Sequence, residues 1–167
     1  PTPEHPGLND PSGLPASHPL LLEGQLAVIG AGPYGDIWST RSDVDAFAWA
    51  FAPPPPWSDP ETVSEGQNAT PGLPATAVDS EGRLHLLWAT TTAEGLAAPA
   101  LTYTRLEGDR WSRPADVLRS PDGTAKDPAL AASSDRLHAV WADPDRGTAL
   151  HSRAYVRDAY AAGGWSE

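Results

Sequence analysis

Trp57-Ser58-Asp59-Pro60, Trp111-Ser112-Arg113-Pro114 and Trp165-Ser166-Glu167 are three copies of one phrase, each 54 residues after the last. A second phrase keeps nearly the same step: Leu84-His85-Leu86-Leu87-Trp88 returns as Leu137-His138-Ala139-Val140-Trp141. A third marker, Pro74 before an Ala-rich apolar stretch, returns as Pro128. Markers that share one long period indicate an internal repeat, the mark of solenoids, propellers and arrays. Within the second repeat, Leu84, Leu86 and Trp88 alternate at the period of two that a pleated strand imposes.

Working outward, each unit holds four short apolar runs separated by Gly- and Pro-bearing turns, which predicts a four-stranded antiparallel sheet per unit. The units fall at about 20–66, 74–119 and 128–167. In the second, strands are expected at Ala75–Asp79, Arg83–Ala89, Leu101–Arg105 and Trp111–Leu118, with turns at Ser80-Glu81-Gly82 and Glu107-Gly108-Asp109. The third repeats this, and its fourth strand only begins at Trp165. The Ala-rich segments Ala93–Ala100 and Ala159–Ala162 carry Gly or flanking Pro and read as loops. The predicted fold class is therefore all-β, made of antiparallel four-stranded blades of a partial propeller. Trp57, Trp88, Trp111, Trp141 and Trp165 are expected to pack between blades, and Trp38 to occupy the slot of Tyr103.

Two segments stand outside the repeat. Residues 1–19 contain six prolines, which favours an extended arm. It is either a loose leader or an arm laid along a partner. The insert at 42–57 brings Phe47, Trp49 and Phe51 beside the Pro53–Pro56 run. An apolar, proline-stiffened loop suits a docking surface, so Phe47, Trp49, Phe51, Pro54 and Pro55 are candidate partner contacts. The alternative is a loop folded over its own blade.

Composition bounds the partners. A net charge of −11 over 167 residues argues against nucleic acid, whose phosphates need cationic replacement of their counterions. No cysteine occurs, so there is no disulfide or thiolate site. No apolar run reaches the roughly 20 residues of a membrane-spanning helix. The chain opens on Pro1 and contains no Met, which predicts a processed N-terminus and a periplasmic or extracellular location.

The pattern Gly82-Arg83-Leu84-His85-Leu86-Leu87-Trp88, then Leu101-Thr102-Tyr103-Thr104-Arg105, then Trp111-Ser112-Arg113-Pro114 resembles the blades of sialidase-like (neuraminidase, BNR-repeat) β-propellers over residues 20–167. The family's Asp-box is degenerate here: Ser42 and Trp49 keep its spacing, but Val44, Ala46 and Ala48 stand where Asp, Gly and Thr belong. The resemblance implies an arginine triad for a substrate carboxylate, a Tyr nucleophile and an acid/base Asp. The Arg-Ile-Pro segment that carries the first arginine of such enzymes is absent. Arg41, Arg105 and Arg153 recur at the ends of third strands, and recurrence at matching slots points to blade building rather than catalysis.

His85 and His138 are likewise repeat-equivalent, so they read as scaffold, and no metal or other cofactor is expected. Asp43, Asp45, Asp79, Glu81, Asp143 and Asp145 sit in turns, where Asp serves local backbone hydrogen bonds. The leading reading is a non-catalytic extracytoplasmic propeller-type module for protein–protein contact, an accessory or scaffold subunit of a larger envelope or membrane complex. Its open sheet faces would be covered by a protein partner or by further blades. The alternative is a fragment of a sialidase-like glycan-binding protein or glycoside hydrolase whose active site lies elsewhere.

Overall fold

The computed structural model describes residues 17–22, 24–31, 36–43, 57–64, 74–91, 97–121 and 124–166. The fold is all-β. Among the described residues the only helical element is one 3₁₀ turn, Ala162–Gly164. Among the described residues no helix is long and apolar enough to cross a membrane. The arm before Ser17 and the proposed contact residues Phe47, Trp49, Phe51, Pro54 and Pro55 lie outside the described residues.

Three antiparallel sheets follow in chain order. The first runs β1 (Ser17–Leu22), β2 (Gln25–Ala31), β3 (Ile37–Asp43) and β4 (Glu61–Thr62), each beside the next. The second runs β5 (Ala75–Val78), β6 (Leu84–Thr91), β7 (Ala97–Glu107) and then β8 (Arg110–Trp111), with β9 (Ala115–Arg119) also along β7. The third runs β10 (Lys126–Ser133), β11 (Arg136–Asp143) and β12 (Thr148–Tyr155), and Trp165 adds an isolated bridge to Ala154. Glycines in the left-handed region close the tight turns, Gly82 at φ 76° and Gly108 at φ 58° among them, a conformation that a Cβ disfavours.

Several expected boundaries move. Strand β1 begins at Ser17, inside the segment expected to be an extended arm. Pro19 is tolerated there because β1 is the edge of its sheet and need not donate outward. Ala97–Ala100, expected as loop, opens β7 by pairing Ala97 with Thr91 across a register shift. The irregular ladder accepts Pro99, which has no N–H to give. The fourth strand of the second unit is broken between β8 and β9, because Ser112 turns its hydrogen bonds to the third strand at that point.

That break is a repeated device. In each sheet a hydroxyl near the end of the third strand donates to the carbonyl of the serine in the Trp-Ser phrase. The pairs are Thr40 to Ser58 at 2.8 Å, Thr104 to Ser112 at 2.6 Å, and Ser152 to Ser166. The next residue is an arginine every time. Its backbone N–H donates to the same serine's Oγ, at 3.0, 3.1 and 3.2 Å for Arg41, Arg105 and Arg153. The serine N–H returns a bond to that arginine's carbonyl at 2.7, 2.8 and 2.8 Å. These clasps fix the structural alignment of the three units: Thr40, Thr104 and Ser152 are equivalent, and so are Arg41, Arg105 and Arg153.

Counted from the clasps, the slot of Tyr103 belongs to Ser39 and not to Trp38. A one-residue offset in a strand changes the face, and Trp38 lies on the opposite one. There it covers Gly30, its register partner, where an added Cβ would stand 2.2 Å from the indole. Gly30 holds the position equivalent to Trp88, so the first sheet supplies its tryptophan from the neighbouring strand.

Two apolar clusters separate the sheets. Leu84, Leu86 and Trp88 on one face of β6 pack with Leu22, Ala27, Ile29 and Ile37 of the first sheet. Leu87 and Ala89 on the other face, with Tyr103 and Leu101, pack with Leu137, Ala139, Trp141 and Trp165 of the third. A strand covered on both faces has no solvent side to show, which explains the apolar run Leu86 to Ala89 and the full burial of His85 beside it. Trp88 and Trp141 are the same part in successive units, 2% and 5% exposed, each turned toward the sheet before its own. Trp57 departs from the expected packing and is 36% exposed. Its equivalents Trp111 and Trp165 are covered by the preceding sheet, and no described sheet precedes the first.

Replacing Trp88 with Ala is expected to cost about 3–5 kcal/mol, read as a shift in the denaturant midpoint. Ser112→Ala leaves the buried approach of the Arg105 N–H without its acceptor and is expected to cost about 1–3 kcal/mol in the same melt.

Candidate functional site

The middle sheet holds a polar chain inside its apolar joint with the third sheet. Asp79 follows β5 and closes the β5–β6 turn, its Oδ1 accepting the backbone N–H groups of Glu81 at 2.9 Å and Arg83 at 3.0 Å. Short turn aspartates favour this geometry. Its Oδ2 accepts Arg83 Nε at 2.7 Å and His85 Nε2 at 3.0 Å. His85 Nδ1 then lies 2.7 Å from Tyr103 Oη. With an ionised Asp79 as acceptor, Nε2 carries the imidazole proton and Tyr103 donates to Nδ1. Asp79 is 7% exposed, His85 and Tyr103 0%.

Burial and hydrogen bonding set the charges. Burial alone would raise the Asp79 carboxyl, but hydrogen bonds from the Arg83 side chain and backbone, from His85 and from Glu81 outweigh it. They hold the group at about 2 against an ordinary 3.8. Burial pushes the His85 imidazole below 6.5, against the pull of Asp79. Burial also pushes the Tyr103 hydroxyl well above its ordinary 10.0. The result is one carboxylate, one neutral imidazole and one un-ionised phenol.

In type, Asp–His–Tyr is a relay able to activate a phenolic nucleophile. In place, it is sealed. Trp165 of the third sheet stands edge-on to Tyr103 with ring centroids 6.3 Å apart, and no substrate atom can reach the phenol oxygen. The sequence reads His85 as scaffold and Asp79 as a turn residue, and the structure places His85 buried at the joint and Asp79 at the β5–β6 turn. It gave no sign that they join Tyr103, because a register of strands and not a motif brings the three together.

The third sheet repeats this chain with other residues. Ser133 takes the place of Asp79 and lies 3.3 Å from His138 Nε2. His151 takes the place of Tyr103, its Nε2 3.4 Å from His138 Nδ1, with the two rings stacked at 5.7 Å. Here His151 is exposed and His138 half-buried. Among the described residues no group of three or more His, Asp or Glu side chains gathers as a metal set.

The recurring arginines face the joints between sheets. Arg41 of the first sheet reaches the Gly108–Asp109 turn of the second, with Nη1 3.2 Å from Asp109 Oδ1, and also meets Glu61 at 3.5 Å. Arg105 of the second reaches the Val156 carbonyl of the third at 3.5 Å and pairs with Glu107 at 2.8 Å. Tryptophans run the other way. Trp111 Nε1 donates back to Ser39 Oγ at 3.2 Å and Glu61 Oε1 at 3.0 Å, and Trp165 returns to Tyr103. Each joint thus carries an arginine forward and a tryptophan back. Arg153 is exposed. The three arginines do not converge on one point.

A cleft of about 790 Å³ lies beside the second joint, walled by Val117, Leu118, Trp141, Leu150 and Trp165, with Arg119 and His151 at its edge. It holds an apolar floor with one arginine and one histidine at its edge, and no carboxylate among its lining residues.

Acid is expected to unfold the chain in two stages. His85 is depressed on folding, so its contribution is complete above 6.5 and falls away as the pH drops below that value. Asp79 is also depressed, so its share is present above 3.8 and is lost between 3.8 and about 2, about 2 kcal/mol in size. His85→Gln should remove the upper stage and leave the lower one, as read by urea melts at stepped pH.

No protein-family model matches the sequence, and no curated protein matches it. Among solved structures, the chain is similar to the Hadza microbial sialidase Hz136, at 13% identity and a TM-score of 0.55. The match takes in 89% of this chain and 36% of that one, so the chain spans about a third of the sialidase's length. What it shares with that protein is the all-β, sialidase-like arrangement of stacked antiparallel sheets.

Proposed function

We propose that this chain is a non-catalytic, propeller-type module with sialidase-like blades, acting outside the cytoplasm through protein–protein contact as an accessory or scaffold subunit. One observation carries the reading: the residues that look catalytic are spent on holding sheets together. Tyr103 and His85 are fully buried, and Arg41 and Arg105 cross the joints. A substrate carboxylate would need arginines that converge and face solvent.

The second reading, a part of a sialidase-like glycan-binding protein or glycoside hydrolase, is favoured by the structural match and by the Trp-walled cleft beside Arg119. It requires an active site contributed by residues other than these, since the chain spans a third of the sialidase it resembles.

Incubation of residues 1–167 with a fluorogenic sialoside separates the readings. The expected result is no release above blank. Hydrolysis that disappears on substituting Arg41 or Tyr103 with Ala, in a variant that still melts cooperatively, would overturn the non-catalytic reading.

A further inference from the structure

We infer that His138 and His151 form a two-histidine site for a divalent d-block ion such as zinc, bound across strands β11 and β12 of the third sheet.

Strand register builds the pair. His138 stands opposite Arg153, and Val140 opposite His151. Residues opposite each other in a ladder share a face, and so do positions two apart along one strand. His138 and His151 are therefore diagonal neighbours on one face, a spacing that long side chains can bridge. Their rings do meet. Nδ1 of His138 lies 3.4 Å from Nε2 of His151, with the ring centroids 5.7 Å apart. The two residues are 13 apart in the chain, so no linear spacing announces them, and the sequence expected no metal.

The separation suits a shared ion. Imidazole nitrogens bind zinc at about 2.0–2.1 Å, and two such bonds at a tetrahedral angle hold their nitrogens about 3.4 Å apart. A good N–H hydrogen bond is shorter, near 2.9 Å. The far side of His138 is also prepared. Ser133 Oγ lies 3.3 Å from its Nε2. When that oxygen accepts the Nε2 proton, the free lone pair sits on Nδ1 and faces His151. Ligating histidines carry this kind of orienting bond on their other nitrogen.

The middle sheet shows the same slots closed to metal. Tyr103 replaces His151 there, and both nitrogens of His85 are engaged, by Asp79 and by Tyr103, at 0% exposure. His151 is exposed and His138 half-buried, so an ion reaches them without opening the core. Two protein nitrogens leave two tetrahedral positions to water. Arg153, beside His138 in register, opposes a cation, so coordination and not the local field must hold it. Imidazole selects copper, nickel and zinc over the oxygen-seeking magnesium and calcium, with copper(II) tightest.

Calorimetric titration of residues 1–167 with zinc chloride tests the inference, at about pH 7.5, where free imidazole is neutral. The expected result is one ion per chain, with no binding of magnesium. His138→Gln and His151→Gln are each expected to weaken binding roughly tenfold or more, because either leaves a single ligand where there was a chelate. Replacing His5 and His18 together with Gln should leave the affinity unchanged. A site made by register exists only in the folded chain, so zinc should raise the urea midpoint of the wild type but not of His151→Gln. The same melts show that each variant folds. Absence of zinc binding overturns the inference, as does binding that survives His151→Gln or that is lost with His5 and His18. A midpoint shift of equal size in the wild type and His151→Gln overturns it as well.

Discussion

The structure depends on one hydrogen-bonded clasp, made three times. A serine lays its N–H, carbonyl and hydroxyl against the last residues of the third strand, and that fixes where the fourth strand starts. The net worth of each bond is modest, about 0.5–1.5 kcal/mol. Its importance lies in register. The residue before the serine is a tryptophan that must reach the sheet before, and the residue after the threonine is an arginine that must reach the sheet behind. A slip of one residue would exchange the faces and lose both. The clasp therefore turns a local pairing into a rule for stacking.

The middle and third sheets show what burial demands of the same slots. On the covered face of the middle sheet, the central histidine sits between a carboxylate and a phenol, and every polar atom of the three-residue chain has a partner. A buried imidazole without partners would cost more than the joint returns. On the open face of the third sheet, serine and a second histidine suffice, with longer contacts of 3.3 and 3.4 Å, because water can serve what the protein does not. A catalytic relay and a satisfied core network can thus contain the same residue types. Exposure of the terminal oxygen distinguishes them.

Much of this was legible in the sequence, and the part that was not has a definite cause. The Trp-Ser phrases and the Leu-His-Leu-Leu-Trp strand keep a period of 54 or 53 residues, so the all-β class and the equivalence of Trp88 with Trp141 could be read directly. The third strands do not keep the period. The clasped hydroxyl lies 18, 8 and 14 residues before its serine in the three sheets, since the intervening loops differ in length. The sequence reading puts Trp38 in the slot of Tyr103, and only the clasp shows it to be Ser39. The chain from Asp79 through His85 to Tyr103 joins three strands or turns, and no linear spacing encodes it. Trp57 is exposed where no described sheet precedes the first, which a repeat unit cannot state about itself.

Stacking of this kind has a direction. Arginine goes forward and tryptophan comes back at both joints, so neither face of a sheet is complementary to itself. Two arginine-bearing faces pressed together would oppose like charges, which in a drying joint costs several kcal/mol. Units with this polarity add in one sense alone, and their order is set by the same two side chains that hold each joint together.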